Sequence, residues 1–440
     1  MARTGPSFFV WQESLQKRRT CEVSHFSHFE KGRDAQVKQL HECRSDFPSL
    51  ERMVAGKPAA YFDGPGGTQV PRAVIEAITH YYVTSNANAH GPFVTSRETD
   101  ETVDRTRERM AAFLGAVSGE TVSFGANMTS LAFSLSRAIS RVIRPGDEVI
   151  VTALDHEANR GPWLRLAEHG AVVRNVRMTQ DGRLDLDDLR AQLSSRTKLV
   201  AVGYSSNALG TVNDLPLIRR LSREVGAWLI VDAVHYAPHF PLDVQSLDPD
   251  FLLCSAYKFY GPHVGILYAR PGLLDQLPTD KLRPQSDEAP YRIETGTLNF
   301  AALAGVAAAV EYIASYGEGD GLRRRLVDAM NRIHAHEEQL ASRLYAALSS
   351  LPHVTVYGQP FGTGLRAPTL SFAVEGVQAP DAARLLGEQG FFVWGGHFYA
   401  MSVIESLGLE SQGGLVRVGI SMYNTEEEVD RLAEAIGRLR

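Results

Sequence analysis

The chain has 440 residues, 44% of them hydrophobic and 22% charged, with a formal net charge of −6. This is a globular composition, long enough for two domains, and it excludes extended disorder. Lysine and arginine are spread along the chain, so no basic stripe points to nucleic acid or an anionic membrane, and the expected partner is a small molecule.

Residues 1–36 are polar and basic in patches, as in Gln16-Lys17-Arg18-Arg19, and read as an N-terminal extension, a tail or arm. From Val37 the pattern turns helical, with Leu40, Phe47, Leu50 and Met53 as its apolar side, and it ends at Gly56-Lys57-Pro58. Tyr61 to Gly67 then runs from an extended piece into a glycine-rich turn, and residues 37–75 are expected to pack with a small domain. Over residues 76–305 strands alternate with helices. Strands are expected at Thr121–Phe124, Glu148–Thr152, Val172–Val176, Leu199–Val202, Trp228–Val231, Phe251–Cys254 and Gly265–Tyr268. Helices are expected at Met128–Val142, Leu186–Leu193 and Leu217–Val225. Such alternation predicts an α/β fold, a mainly parallel seven-stranded sheet covered on both faces. After Asn299 the character changes, and residues 306–440 are expected to hold long helices and a small C-terminal domain. Long helices over Ala301–Ser315 and Leu322–Leu348 lead into shorter units, including a strand at Thr369–Ala373 and a helix at Glu427–Leu439, as in a smaller C-terminal α+β domain.

Cys21, Cys43 and Cys254 are widely spaced, without a CxxC or a cluster with histidine, so neither a disulfide framework nor a metal site is expected. A reducing cytoplasm suits them. No apolar run approaches the roughly 20 residues of a membrane span, and Ser7–Trp11 is too short for a signal-peptide core.

Two strand ends carry the chemistry. Trp228-Leu229-Ile230-Val231 closes on Asp232, and Phe251-Leu252-Leu253-Cys254 closes on Ser255-Ala256-Tyr257-Lys258. Open α/β sheets place ligands at the carboxyl ends of their strands. A carboxylate and an amine there suit pyridoxal phosphate, which needs a lysine for its Schiff base and an acid opposite the pyridine nitrogen. For two residues alone, a buried salt bridge is the commoner arrangement. Other strand ends add polar groups at the same edge: the helix start at Asn127 and Met128, suited to a phosphate; His156 within Asp155-His156-Glu157-Ala158-Asn159; and Asn207 within Ser206-Asn207-Ala208-Leu209-Gly210.

With Arg292 to Thr297 and Arg417 to Asn424, these segments resemble, in order, the class V aminotransferase family of fold-type-I pyridoxal phosphate enzymes, in its cysteine desulfurase and selenocysteine lyase branch. The resemblance covers Tyr61 to the carboxyl end. It implies that Lys258 forms the internal aldimine and moves the substrate's Cα proton, that Asp232 pairs with the pyridine nitrogen, and that His156 stacks on the ring. Asn207 and His235 are implied near the phenolic oxygen; relatives commonly carry glutamine near the latter position. Asn127, Met128, Ser255 and, from a neighbouring subunit, Thr297 are implied phosphate contacts, so a homodimer with shared sites is expected; Tyr257 replaces the histidine usual beside the lysine, with a hydroxyl that can still reach the phosphate. Arg417 matches the arginine that holds the substrate carboxylate.

The departure lies at Gly396-His397-Phe398-Tyr399-Ala400-Met401, where the desulfurases carry the cysteine that takes up sulfur as a persulfide and this chain has Tyr399. The resulting expectation is a lyase that eliminates sulfur from Cβ of cysteine or an S-substituted cysteine, with Tyr399 and His397 lining the pocket and specificity set by the loops around Gly64–Gln69, Asn88–Pro92, including His90, and His397–Ser402. An aminotransferase or amino-acid epimerase uses the same residues, and a non-catalytic binding protein of this fold is the alternative from another class.

Overall fold

The computed structural model describes residues 37–439; the N-terminal extension and Cys21 lie outside them. After two helices, α1 (Arg72–Thr84) and α2 (Val94–Leu114), the alternating region comprises β1 (Val122–Gly125), α3 (Met128–Ser140), β2 (Glu148–Thr152), β3 (Val172–Val176), α4 (Leu186–Gln192), β4 (Thr197–Gly203), α5 (Leu215–Glu224), β5 (Trp228–Asp232), β6 (Phe251–Ser255) and β7 (Gly265–Ala269). These strands form one seven-stranded sheet in the order β1-β7-β6-β5-β4-β2-β3. Only β7 runs against its neighbours.

Strand residues alternate between faces, and here both faces are apolar because both are covered. Val231, Leu252, Cys254 and Ile266 pack toward Met110, Leu114, Val306 and Val310 on one side. Ile230, Phe251, Leu253 and Leu267 pack toward Leu131, Leu135, Ile139 and Trp163 on the other. Continuous apolar runs are therefore what a doubly covered sheet requires.

The chain continues through α6 (Phe300–Ala314) and α7 (Leu322–Ser349) into β8 (Val354–Tyr357), β9 (Thr369–Val374), α8 (Ala379–Glu388), β10 (Trp394–Gly396), α9 (Met401–Leu407), β11 (Leu415–Gly419) and α10 (Glu426–Gly437). The second sheet is antiparallel, in the order β8-β9-β11-β10, and places Arg417 between Ser371 and Trp394. Its own core joins Leu370, Phe372, Val416 and Val418 to Leu340, Leu344, Leu432 and Ile436. No helix among the described residues is long and apolar enough to cross a membrane.

The segment after Val37 differs from expectation. It forms two 3-10 helices, Leu40–Asp46 and Pro48–Glu51, then a two-stranded hairpin pairing Met53–Val54 with Lys57–Pro58. Pro48 begins a new turn because it has no N–H to continue the previous one. Ala55 and Gly56, with φ of 49° and 76°, supply the left-handed pair that a tight hairpin turn needs. Met53 is 58% exposed and leaves the apolar face assigned to it. Helix α2 escaped the sequence reading because its buried stripe includes Ser96, Thr99, Thr102 and Thr106. Their hydroxyls are satisfied by backbone carbonyls, as in Thr106 Oγ1 donating to Thr102 O at 2.7 Å and Leu303 O at 3.0 Å.

Candidate active site

The carboxyl ends of β1, β2, β4, β5 and β6 converge on one polar pocket, which β11 faces with Arg417. Asp232 ends β5. Its Oδ1 accepts a hydrogen bond from the Val234 N–H at 2.9 Å, the one hydrogen bond its side chain makes among the described residues. Burial raises its carboxyl to about pH 6, against the opposing pull of that N–H and of Lys258. Such a carboxylate is free to meet a cationic partner. Lys258 lies in the 3-10 turn that follows β6. Its Nζ donates to the Pro65 carbonyl and sits 4.9 Å from the Tyr257 ring centroid. Burial, then the Arg417 charge, lowers its ammonium to about pH 7, with Asp232 and Asp63 acting the other way.

His156 follows β2. Its Nδ1 accepts from the Ala158 N–H at 3.0 Å, and burial lowers its imidazole to about pH 4, with Lys258 and Arg417 adding to the effect. A neutral, flat ring results. Asp155 beside it accepts from Gly203 N–H at 2.7 Å and Asn159 Nδ2 at 3.0 Å, tying the ends of β2 and β4 together. In the loop after β4, Asn207 donates from Nδ2 to the Phe398 carbonyl at 2.9 Å, while its own Oδ1 is buried with no partner among the described residues. Arg417 Nη1 donates to the Asn207 carbonyl at 3.0 Å, and its Nε is buried and unpartnered among the described residues. Burial lowers the guanidinium to about pH 9, and Asp63 partly restores it.

At the start of α3, Asn127 caps the helix by accepting from Ser130 N–H at 2.9 Å, and the Met128 N–H donates to Ser255 Oγ at 2.9 Å. The helix start is thereby fixed to the end of β6, presenting a positive helix end beside a hydroxyl. The close approach depends on Gly265, where a Cβ would lie 2.3 Å from the Asn127 carbonyl carbon. Tyr257 stacks on His263 at 4.6 Å between centroids. His235 is buried, with Nε2 3.0 Å from Thr369 Oγ1.

The 397–399 loop closes one side. Phe398 and Tyr399 have φ of 54° and 56°, and the Tyr399 carbonyl accepts from the Glu157 N–H at 2.7 Å. The Tyr399 ring stacks on His156 at 5.5 Å and 28°, yet it is 67% exposed. His397 Nδ1 accepts from the Tyr399 N–H at 3.1 Å.

Two of the expected site residues are not brought into this pocket within one chain. His90 points its Nδ1 to Asp100 at 3.0 Å, its side chain mostly exposed. Thr297 is exposed ahead of α6. Conversely, Asp63, Pro65, Asp155, Phe398 and Thr369 take part without having been assigned a role. Asp63 and Pro65 lie in the glycine-rich turn and Asp155 in the histidine segment, so position alone marked them; nothing in the sequence marked Thr369.

The pocket fits pyridoxal 5′-phosphate: a lysine held near neutrality, a buried carboxyl with an uncommitted oxygen, an orphaned amide oxygen and a helix start share one cradle. A family model described as aminotransferase class V matches residues 60–432. The chain belongs to the class V aminotransferase family. It is 34% identical to the cysteine desulfurase of Synechococcus elongatus over 91% of this chain, spanning 64% of that relative's length. It is 32% identical to the probable cysteine desulfurase of Synechocystis (89% of this chain, 94% of the relative) and to the cysteine desulfurase of Pectobacterium atrosepticum (91% and 98%). Among solved structures it resembles a cysteine desulfurase from Thermococcus onnurineus, with a TM-score of 0.79 and 29% identity, covering 90% of this chain and 96% of that one. A cysteine desulfurase from Escherichia coli gives 0.80 and 28%, covering 91% and 98%. This class V member is thus a pyridoxal phosphate-dependent enzyme of fold type I, cysteine desulfurase-like in its overall chain.

Proposed function

We propose that the enzyme is a C–S lyase: with one water it splits cysteine into pyruvate, ammonia and hydrogen sulfide, or an S-substituted cysteine into pyruvate, ammonia and a thiol, without a persulfide on a protein cysteine. Tyr399 carries the reading. It stands beside His156, in the loop that the resemblance matches to the one carrying the desulfurases' cysteine. Cys43 and Cys254 are buried, and burial pushes both thiols up, away from the reactive thiolate.

In this reading Lys258 anchors the cofactor, Asp232 faces its pyridine nitrogen, His156 covers its ring, and Asn207 and His235 meet its phenolic oxygen. Asn127, Met128, Ser255 and Tyr257 surround its phosphate. When bound, pyridoxal 5′-phosphate withdraws the electron pair left on the substrate's Cα after proton loss. Lys258 Nζ takes that proton, which a group held near pH 7 does effectively. Arg417 binds the α-carboxylate through the edge of its guanidinium, the geometry that suits a planar fork. His397 lines the leaving-group side, and the Tyr399 hydroxyl gives its proton to the departing sulfur.

Thr297 and His90 act in the neighbouring site of a homodimer. The support is a set of exposed apolar side chains around the His90 loop: Ile75, Tyr82 and Val83 on α1, and Phe93 and Val94 at the start of α2. The unpaired buried cysteines suit a reducing cytoplasm.

The test is incubation of the holoenzyme with L-cysteine, cystine and S-substituted cysteines while pyruvate is assayed together with the sulfur product, which is sulfide from cysteine, thiocysteine from cystine and a thiol from the others. Equal amounts of both from one substrate, lost in Lys258→Ala, are expected. A persulfide on the protein sinks the reading. An oxo acid with the amino form of the cofactor makes it an aminotransferase, an inverted centre makes it an epimerase, and a loaded protein that turns over none of these is a binding protein.

A further inference from the structure

His235 and Thr369 belong to different sheets and meet in the interior. His235 follows β5 of the large sheet, and Thr369 opens β9 of the four-stranded one. Both are buried, and the 3.0 Å contact between Nε2 and Oγ1 is the only hydrogen bond either side chain makes among the described residues.

The direction of that bond follows from what each group has to offer. A threonine hydroxyl carries one proton, and a buried donor without an acceptor is costly. The nitrogen facing it is the one acceptor on hand, so the hydroxyl donates to Nε2. A neutral imidazole has a single ring proton, which must then sit on Nδ1. His235 is neutral: burial pushes it well below the ordinary imidazole value, and His239, Arg417, Lys258 and His156 push the same way. Asp232, at the end of β5, is the acid on this side of the pocket. Behind His235 stands a second buried pair. His239 packs edge to face against it, with centroids 5.4 Å apart at 78°, and His239 Nδ1 lies 2.8 Å from Oε2 of Glu337 on α7. With His239 tied in this way, the wall behind the His235 ring is held in place.

We propose that Thr369 is a positioning residue whose hydroxyl fixes the tautomer of His235, turning its Nδ1–H into a neutral hydrogen-bond donor for the phenolic oxygen of the cofactor. This rests on the assignment of His235 to that oxygen in the proposed function. A donor there favours the anionic oxygen and so lowers the pH at which the link between cofactor and Lys258 is protonated. A residue of the small sheet thereby tunes a group bound on the large one.

The experiment is a pH titration of the visible band of the holoenzyme. Thr369→Val keeps the side-chain shape and loses the hydroxyl; its midpoint is expected to move up by about one pH unit, the scale of one hydrogen bond to a charged group. Thr369→Ser is expected to keep the wild-type midpoint. His235→Leu should shift at least as far as the valine variant, and the His235→Leu/Thr369→Val double variant no further than His235→Leu alone. An unchanged midpoint in Thr369→Val, beside a shifted one in His235→Leu, overturns the role of Thr369 and leaves the His235 assignment standing. An unchanged midpoint in His235→Leu overturns that assignment and the inference with it. A serine variant shifted as far as valine also overturns the role, because the hydroxyl is then not what matters. If the valine variant fails to fold, Thr369→Ala deletes the same hydroxyl and is judged by the same midpoints.

Discussion

The guanidinium carbon of Arg417 lies 4.4 Å from the ring centroid of Phe398. One face of the cation is thus covered by an aromatic ring while Nη1 is held by the Asn207 carbonyl, so the group is oriented without an acid bonded to it among the described residues. A carboxylate approaching in the guanidinium plane meets a cation already desolvated on its face.

Phe398→Ala removes that cover. A partly desolvated cation–π contact is worth about 1 kcal/mol, so KM for the amino-acid substrate is expected to rise about fivefold. Steady-state kinetics should show kcat changed by less than about twofold, since the ring packs on the cation that binds substrate and carries no group that moves a proton. A fall in kcat with KM unchanged counts against the clamp.

Burial and the Arg417 charge lower the Lys258 ammonium to about pH 7, and only its neutral form accepts a proton. Turnover is therefore expected to be low under acidic conditions, to rise about tenfold per pH unit on the acid limb and to level off above pH 7. Arg417 is one of the groups that lowers this value, so Arg417→Gln should move the midpoint to higher pH. A single-turnover rate measured across pH, with substrate saturating, reads both effects.

Tyr399 is largely exposed, so Tyr399→Phe should leave the melting temperature unchanged. If its hydroxyl protonates the departing sulfur, kcat falls by about 10²-fold, the lower scale of one general acid. The loss should be smallest for substrates whose thiol leaves readily as an anion. Uniform losses across leaving groups argue for a shape-filling ring.

Glu294 is expected to matter for the arm that carries Thr297. Its Oε1 and Oε2 accept from Arg107 Nη1 at 2.8 Å and Nη2 at 2.7 Å, and Oε1 also accepts from the Phe124 N–H at 2.7 Å. Glu294→Ala leaves a buried guanidinium without its counter-charge, a loss of about 3–5 kcal/mol. A lower melting temperature together with faster loss of cofactor on dialysis is the expected result; cofactor retention like that of the wild type separates the arm from the site.

The large sheet was legible because its strands are buried on both faces. The fully buried run Glu148–Thr152 has the same ends in sequence and structure, and so does the edge strand Val172–Val176, although only Val176 of it is buried. The long helix read as Leu322–Leu348 ends one residue later. Asp232, Lys258, His156, Asn207 and Arg417 could be named because each stands at the end of an apolar strand or within a segment shared with the family. Less legible were stretches whose burial is not written in apolar residues. Helix α2 hides a hydroxyl stripe, and the Leu40–Glu51 segment mixes helical periodicity with a proline that divides it.

By itself the sequence determined the class of fold and the order of polar strand ends, because apolar runs and the polar residues closing them are local properties of the chain, and the resemblance of those segments to a family pointed to the cofactor. Only the tertiary structure decided what each polar group has left to offer: that Asp232 keeps one oxygen free, that Phe398 covers Arg417, and that a threonine far along the chain holds His235. These depend on which partners burial brings within about 3 Å and which it excludes, and residues well separated in sequence leave no local trace of that choice.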